Sequence, residues 1–192
     1  MRFALVLLVL FTNACVIAPS YQFFRGGETI SQPGVSFTLP EDRRWAAMMR
    51  TTYQVALGAD GMRKNETLLV ATSVYKAPEF ADKQEFLAAF QKQRTEPLTT
   101  RFEILSHSET LYEQRPETCA VYKSVSKDFG AEAKRGGEYS IFETYGIYCI
   151  HPLDSKVAIM VELSRKAPPH MIFPEFEPMA QRIFSSVKFG AF

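Results

Sequence analysis

Four segments in the second half of the chain alternate between apolar and polar residues. They cover residues 101–108, 118–126, 139–151 and 156–165. Side chains of a β-strand point alternately to its two faces, so this period of two predicts strands. A tight turn at residues 152–155 predicts that the last two segments pair antiparallel. The chain is therefore expected to build an antiparallel sheet.

Further strands are expected in the first half of the chain. Residues 35–39 alternate and end at Pro40, and the β-rich segments 51–57 and 67–75 flank a polar stretch that contains Asp60-Gly61. An Asp-Gly pair is a turn signal. These features predict a first strand followed by a hairpin with a long polar tip.

Two segments have the apolar period of an α-helix. Residues 82–96 start with a capping Asp82 and an acidic Glu85, carry an apolar stripe and end before Pro97. The second helix has a continuous apolar face formed by six residues: Phe176, Met179, Ala180, Ile183, Phe184 and Val187. The pattern predicts one helix before the four alternating segments and one near the C-terminus.

The segment 139–151 has apolar residues on both of its faces. A sheet of this kind must be covered on both sides. We therefore expect an α+β fold in which an antiparallel β-sheet has helices packed on both faces. The composition, 46% hydrophobic and 22% charged residues, is that of an ordinary globular protein, and 192 residues suit one domain. We place this single domain at residues 34–192.

The N-terminus has the pattern of a secretory signal peptide. Met1-Arg2 is followed by nine uninterrupted apolar residues, Phe3 to Phe11. Nine residues are about half of what a membrane-spanning helix needs, and they suit the hydrophobic region of a signal peptide. We predict a signal peptide over residues 1–14. The alternative is a buried N-terminal strand or helix of the domain itself.

The residues after the apolar run, Thr12-Asn13-Ala14-Cys15, resemble the lipobox of bacterial lipoproteins. The match is imperfect, because a lipobox usually starts with Leu. The resemblance implies that Cys15 is lipidated and, with Val16 rather than Asp after it, that the protein is anchored in the outer membrane. The alternative is ordinary signal cleavage near Ala14 or after Ser20.

Removal of residues 1–14 would leave a neutral protein. It takes away Arg2, so that 21 Lys and Arg face 21 Asp and Glu in the remaining 178 residues. A protein that binds nucleic acid through bulk charge needs an excess of positive charge, so we expect no nucleic-acid partner. Residues 15–33 are interpreted as a lipid-anchored tether, with acyl chains supplying the membrane attachment.

Three cysteines are present, at positions 15, 119 and 149. If Cys15 is lipidated, an even pair remains, and in an exported protein such a pair predicts a disulfide between Cys119 and Cys149. Closing this loop would contribute about 3–4 kcal/mol in the chain-entropy model. The alternative is two reduced, buried thiols. A zinc site is disfavoured, because the sequence has no CxxC and its three histidines lack ligand spacing.

The two ends of the expected domain resemble those of PsbP-like domains. The opening GVSFTLPEDRRW has a short apolar strand, a Pro and a Trp, and the closing MAQRIFSSVKF has a helix that runs into a small-small-aliphatic-basic-Phe ending. The resemblance covers roughly residues 34–190. It implies a PsbP-like α/β/α sandwich and an accessory or binding role, since that superfamily contains few enzymes and many exported or lipid-anchored members. It assigns no functional residue.

The sequence contains none of the common catalytic motifs. GxSxG, a Walker loop, GxGxxG, HExxH and an EF-hand loop are all missing. His151 lies two residues from Cys149, which would allow a Cys-His pair, but Cys149 is expected in the disulfide. His107 has no partnered acid in the sequence pattern, and His170 follows Pro168-Pro169 in a loop that could touch a partner. We expect no enzymatic activity, no catalytic residue, no metal and no cofactor.

Aromatic residues crowd the segment 139–151, at Tyr139, Phe142, Tyr145 and Tyr148. We interpret them as core and cross-strand pairs. The alternative is an apolar pocket or groove between the sheet and a helix.

Taken together, these features favour an exported, lipid-anchored envelope protein that faces the periplasm. We expect it to act as a non-catalytic binding or accessory module for another envelope protein or complex. One alternative is a carrier or sensor of an apolar small molecule in the periplasm. The other is an envelope hydrolase, which would require a cleft that brings His107 or His151 to an acid and a nucleophile.

Overall fold

The computed structural model describes residues 22–41, 43–60, 65–94, 101–130, 138–171 and 173–192. The strands of this part are β1 Phe23–Arg25, β2 Thr29–Gln32, β3 Val35–Thr38, β4 Arg44–Arg50, β5 Gln54–Asp60, β6 Thr67–Lys76, β7 Phe102–Leu111, β8 Cys119–Asp128, β9 Ser140–His151, β10 Asp154–Ala167 and β11 Lys188–Phe189. The helices are α1 Lys83–Arg94 and α2 Phe176–Ser186.

The strands form a large sheet and a small one. The large sheet has eight strands in the order β1-β4-β5-β6-β10-β9-β8-β7, and the small sheet has the order β11-β3-β2. Neighbouring strands pair antiparallel in both sheets. The antiparallel sheet expected from the alternating segments is thereby confirmed.

Both expected strand connections are found. β5 pairs with β6, with Gln54 opposite Ser73 at one end, which confirms the predicted hairpin. β9 pairs with β10 along most of their length, as the turn at residues 152–155 indicates. The tip of the first hairpin, residues 61–64, lies outside the described residues.

Helix α1 begins as the sequence predicts. The Asp82 carboxylate accepts hydrogen bonds from the N–H groups of Gln84 and Glu85 at 2.8 and 2.9 Å, and Glu85 accepts one from the Ala81 N–H at 2.7 Å. This reciprocal arrangement satisfies N–H groups that the first turn of a helix leaves unpaired. The expected end of this helix, Pro97, lies outside the described residues.

One face of the large sheet, which we call the core face, is covered by α2 and the small sheet. The buried residues of α2 are Phe176, Met179, Ala180, Ile183 and Phe184. They pack with Val35 and Phe37 of the small sheet and with Trp45 and Leu163 of the large sheet in one apolar cluster. The apolar face predicted for the C-terminal helix is thus the face that builds the main core.

The opposite face of the large sheet, which we call the outer face, carries α1 at one end. Phe86 and Phe90 of α1 stack on Tyr148 of β9, with ring centroids 5.9 and 4.5 Å apart. Ala120 and Tyr122 of β8 complete this second, smaller cluster. The strands β1, β4 and β5 contribute no residue to it within the described part of the chain.

The predicted α+β class, with helices packed on both faces of the sheet in a PsbP-like α/β/α sandwich, is wrong. The structure is 55% strand and 14% helix, and the described part of the chain holds two helices. The small sheet provides much of the cover that the prediction assigned to helices. Its strand β3 matches the segment predicted at 35–39, but β2 lies within the predicted tether, residues 15–33, and β11 has only two residues just after α2. In the large sheet, β1 also lies within the predicted tether, and β4 begins in a stretch with the charged composition of a turn.

Candidate binding surface

The predicted cysteine pair is at disulfide distance. Cys119 of β8 and Cys149 of β9 lie directly opposite each other in the ladder, and their sulfur atoms are 2.07 Å apart. The next residues along the ladder, Thr118 and Ile150, share a backbone hydrogen bond, so the cysteines occupy a non-hydrogen-bonded position, where the side chains of a pair are closest. Both cysteines are buried on the core face.

The predicted signal peptide, residues 1–14, and Cys15 lie outside the described residues. Of the helices in the described ranges, neither α1 nor α2 combines the length and the apolar character that spanning a bilayer requires.

His151 holds the C-terminal segment and does not face a nucleophile. Its Nδ1 accepts a hydrogen bond from the Leu153 N–H at 3.2 Å, and its Nε2 lies 3.0 Å from the carbonyl oxygens of Gly34 and Gly190. A carbonyl can only accept, so Nε2 carries the proton and the ring is the neutral tautomer. The ring of Phe192 packs beside it, with centroids 4.7 Å apart. This residue therefore fastens the end of the chain to the sheet.

His107 is brought to an acid by the structure. On edge strand β7 its Nε2 lies 2.8 Å from Oε1 of Glu109, whose side chain is buried. Ser124 of β8 lies opposite His107 in the ladder. Among the described residues, no hydrogen bond joins the His107 ring to the Ser124 hydroxyl. The geometry gives a His-Glu pair without an activated nucleophile.

A polar cluster lies on the outer face beside α1. The Tyr122 hydroxyl donates to the Glu162 carboxylate, and the Ser164 hydroxyl donates to the same carboxylate at 2.7 Å. The tyrosine ring crosses Gly146, and a Cβ on that glycine would meet ring atoms at 2.2 Å. A residue without a side chain is therefore required at position 146 for Tyr122 to reach across from β8 to β10.

The aromatic side chains of β9 are packed against other protein side chains. Tyr148 is buried under α1, and this burial raises the pKa of its hydroxyl to about 12. Tyr145 points to the core face, where its ring lies 5.4 Å from that of Phe184. The strand thus supplies both cores. Tyr139, which directly precedes β9, lines the charged cleft described below.

A charged cleft opens at the end of β8 and β10. The Asp128 carboxylate accepts two hydrogen bonds from Arg101, at 2.6 and 2.8 Å, and one from Lys166 at 2.7 Å. The Arg101 guanidinium holds the pKa of this carboxyl well below its usual range. Asp128 and Lys166 line a cleft of about 970 Å³ that also contains His170 and Glu138. The cleft has ionic groups of both signs, which suits a polar partner surface.

A second opening of about 590 Å³ separates α2 from the end of β3. Its apolar lining comes from Leu39, Met179 and Ile183, and Glu41 and Arg182 add charge to the lining. An apolar floor with a few charged groups is typical of sites for small ligands or peptide side chains.

A buried charged cluster fixes the segment that leads into α2. Arg165 is 1% exposed and donates to Glu66 at 2.6 Å, to Glu143 at 2.7 Å and to the Met171 carbonyl at 3.1 Å. Its guanidinium also lies over the Phe173 ring, 5.4 Å from the centroid. The second carboxylate oxygen of Glu66 is buried and has no hydrogen-bond partner within the described structure. This cluster joins β9 and β10 to Glu66, the residue before β6, and serves the fold.

The part of the outer face that α1 leaves uncovered carries exposed apolar and basic side chains. We name the group formed by Phe23, Arg25, Arg44, Met48 and Met49 the β1–β4 patch. Phe23, Met48 and Met49 are 51%, 65% and 46% exposed, and both arginines are exposed. The Arg44 guanidinium lies 3.8 Å from the centre of the Phe23 ring.

These five residues share one face because of the register. Phe23 lies opposite Ala46 and Arg25 opposite Arg44, while the intervening Phe24 pairs with the buried Trp45 on the core face. A bulge between Ala47 and Met49 then shifts the alternation. Met48 lies over Gly58, where a Cβ would approach its Cγ to 3.1 Å, and Met49 pairs with Ala56 on the same face.

The β1–β4 patch is not evident from the sequence pattern. Residues 41–45, EDRRW, have the charged composition of a turn, and two adjacent methionines do not fit the period of a strand. The sequence feature that points to the patch is RRWAAMMR, in which arginines flank small and apolar residues.

The residues that the structure describes contain no group of three or more His, Cys, Asp or Glu side chains placed to hold a metal ion.

Comparison with known proteins adds no assignment. The chain matches no protein-family model, and no curated protein is significantly similar to it. The resemblance to PsbP-like domains therefore stays a prediction from the sequence.

Proposed function

We propose that the chain is an exported protein of the bacterial envelope, anchored by a lipid on Cys15 and facing the periplasm. Its domain acts as a non-catalytic binding module for another envelope protein or complex. The observation that carries the proposal is the Cys119–Cys149 pair at disulfide distance in two adjacent strands. Disulfides persist in oxidising compartments, and the N-terminal signal and lipobox-like sequence lead to such a compartment.

The side-chain chemistry supports binding over catalysis. Cys149 is held in the pair, and His151 is engaged by backbone groups. His107 has an acid partner in Glu109, but a hydrolase also needs a nucleophile in contact with that base. The mixed-charge cleft at Asp128 offers a surface of the kind that binds a polar partner.

A second candidate function is transport or sensing of an apolar small molecule. It is favoured by the opening between α2 and β3, with Leu39, Met179 and Ile183 in its lining. Native mass spectrometry of the protein isolated from its own membranes should then show a bound species whose amount falls when Arg182, an exposed residue of the same opening, is replaced by Trp to fill it. A protein that carries no such species excludes this function.

The anchor is tested by the intact mass of the protein isolated from native membranes, before and after reduction. We expect the mass of residues 15–192 plus a diacylglyceryl and an acyl group, with two hydrogens gained on reduction. The matched control is Cys15→Ser, which should carry no lipid. An unlipidated mass for the wild-type chain would contradict the proposal.

The binding role is tested by affinity capture from detergent-solubilised membranes after mild crosslinking. A reproducible envelope protein should be recovered with the wild-type chain. A variant with Lys166→Glu and His170→Glu, which reverses charge in the cleft, should lose that protein while keeping the anchor. Recovery that is unaffected by these changes would argue against the cleft as the binding surface.

A further inference from the structure

We propose that the β1–β4 patch lies against the surface of an anionic phospholipid bilayer, so that the domain is held with the outer face of β1 and β4 toward the membrane. This inference rests on the proposed lipid anchor at Cys15. It adds an orientation and a lipid contact that the anchor alone does not require.

The first argument is the distance along the chain between the anchor and the patch. Phe23, the first residue of β1, is eight residues after Cys15. Eight residues span at most about 26–29 Å when fully extended. Since β1 is the edge strand of the large sheet, the anchor holds this edge close to the bilayer while the far edge can lie much further away.

The second argument is the chemistry of the patch. Phe23, Met48 and Met49 are exposed on one face and supply apolar area that can enter the headgroup region. Arg25 and Arg44 sit on the same face and are attracted to lipid phosphates, where each cation contributes about 1 kcal/mol. This combination of apolar and basic side chains suits an interfacial lipid contact better than an aqueous surface.

The third argument concerns the acidic side chains that the structure describes beside the patch, Glu28 and Glu41. Glu28 is turned toward its own chain and accepts a hydrogen bond from the Arg25 N–H at 2.9 Å. Glu41 lines the opening beside α2. The small residues Ala46, Ala56 and Gly58 surround the methionines, so the centre of this face carries no charge.

The contact can be measured on the lipidated, mature protein in vesicles. With Cys15 acylated and Cys119 and Cys149 paired, Met48→Cys introduces one free thiol for an environment-sensitive nitrobenzoxadiazole label. The matched control is Leu105→Cys, an exposed position, 49% accessible, on the opposite edge strand β7. Six strand spacings separate β4 from β7, which is about 29 Å.

In vesicles of phosphatidylethanolamine and phosphatidylglycerol we expect a blue shift at position 48 and quenching by headgroup-level spin-labelled lipid, with neither change at position 105. Arg44→Gln should weaken the contact about fivefold, as expected for the loss of one cation near an anionic surface. In vesicles of phosphatidylcholine alone the shift at position 48 should be smaller.

The failure of this inference is distinct from failure of the anchor. If the protein is acylated and sediments with the vesicles, but the label at position 48 stays in water or both labels shift alike, the lipid contact is overturned and the anchor stands. If position 48 becomes buried only after envelope proteins are added, the patch belongs to a protein partner and the lipid contact is again overturned. An unmodified Cys15 by mass, with the protein left in the supernatant, refutes the anchor and this inference together.

Discussion

Replacement of Arg165 by Met is expected to be among the most destabilising single changes in the chain. Arg165 is 1% exposed and bonds to two carboxylates, Glu66 and Glu143, near the end of β10. Met has a similar length and fills the space, so the change removes the charge with little loss of volume. What remains is the buried Glu66 carboxylate with no cation bonded to it, beside Glu143, whose side chain is 26% exposed.

The magnitude follows from the burial of the partner. The side chain of Glu66 is 1% exposed, and one of its oxygens already lacks a hydrogen-bond partner in the described part of the structure. Removing one member of a buried ion pair costs about 3–5 kcal/mol, because the other charge is left uncompensated. For a domain of this size that corresponds to a fall in Tm of roughly 6–20 °C. The loss is a large share of the free energy of unfolding of a typical domain, which is about 5–15 kcal/mol.

Urea unfolding followed by the fluorescence of Trp45 measures this loss. Trp45 is the one Trp of the chain and is fully buried. The control is Lys127→Met, which breaks an exposed pair with Glu103 and should cost less than about 1 kcal/mol. Combining Arg165→Met with Glu66→Gln removes the stranded charge and should restore at least about 1 kcal/mol of the loss.

The reasoning is refuted if the free energies of unfolding of Arg165→Met and Lys127→Met differ by less than about 1 kcal/mol, because the buried cluster would then contribute no more than a surface pair. It is also refuted if the second substitution at Glu66 makes the Arg165 variant less stable still, because the uncompensated carboxylate would then not be the source of the loss.

Three further changes test other parts of the fold. Replacing Cys119 and Cys149 together by Ala should lower the free energy of unfolding by about 3–4 kcal/mol. A reductant should bring the free energy of unfolding of the wild-type protein toward the same value. Equal stability of the oxidised wild type and the variant would show that no crosslink forms. Asp128→Asn should remove a contribution to the free energy of unfolding that is complete above about pH 5 and is lost progressively as the pH falls below that, because Arg101 lowers the pKa of this carboxyl in the folded state only. Thermal unfolding between pH 7 and pH 2 checks this, and parallel curves for the two proteins would contradict it. The Cβ of Gly146→Ala would displace the Tyr122 ring, and this change should lower the free energy of unfolding in urea by about 1–3 kcal/mol. The control is Gly190→Ala, which has no atom within 4 Å of its Cβ position and should lower it much less.

The sequence predicts the inner strands β8 and β9 of the large sheet well. The segments expected at 118–126 and 139–151 are the strands Cys119–Asp128 and Ser140–His151. These strands are half or fully buried along their length, so the apolar period of two is strong and a shift by one residue would expose the core. The same reasoning holds for α2, whose apolar face is continuous.

The sequence does not predict β1 and β4 of the large sheet or β2 and β11 of the small sheet, whereas β3 and the edge strand β7 match the segments predicted at 35–39 and 101–108. β1 and β2 have three and four residues, too few to show a period. β1 pairs with β4, and β2 pairs with the equally short β3, so pairing within the folded domain makes them strands, not a pattern in their own residues. This is why the prediction of helices on both faces was wrong. Short strands cover part of the large sheet, and strands of this length show no clear period in the sequence.

The number of cysteines in the sequence is enough to predict the disulfide pair, but side-chain contacts that depend on the alignment of neighbouring strands are not predicted. An even pair of cysteines suggests a disulfide without any structure, and Cys119 and Cys149 are found paired. The hydrogen bond from Tyr122 across Gly146 to Glu162 requires three strands in a fixed alignment, and the residues of any one strand do not predict it.

The bulge in β4 explains both why the β1–β4 patch was missed and how the patch exists. In a regular ladder Met48 and Met49 would point to opposite faces, and Met49 would take the place beside Val55 in the core. The extra residue instead places both methionines on the outer face, while Trp45 and Ala47 keep their places on the core side. The irregularity that hides this strand in the sequence is therefore what gives β4 an exposed apolar surface, and β4 is the strand next to β1, which begins eight residues after Cys15.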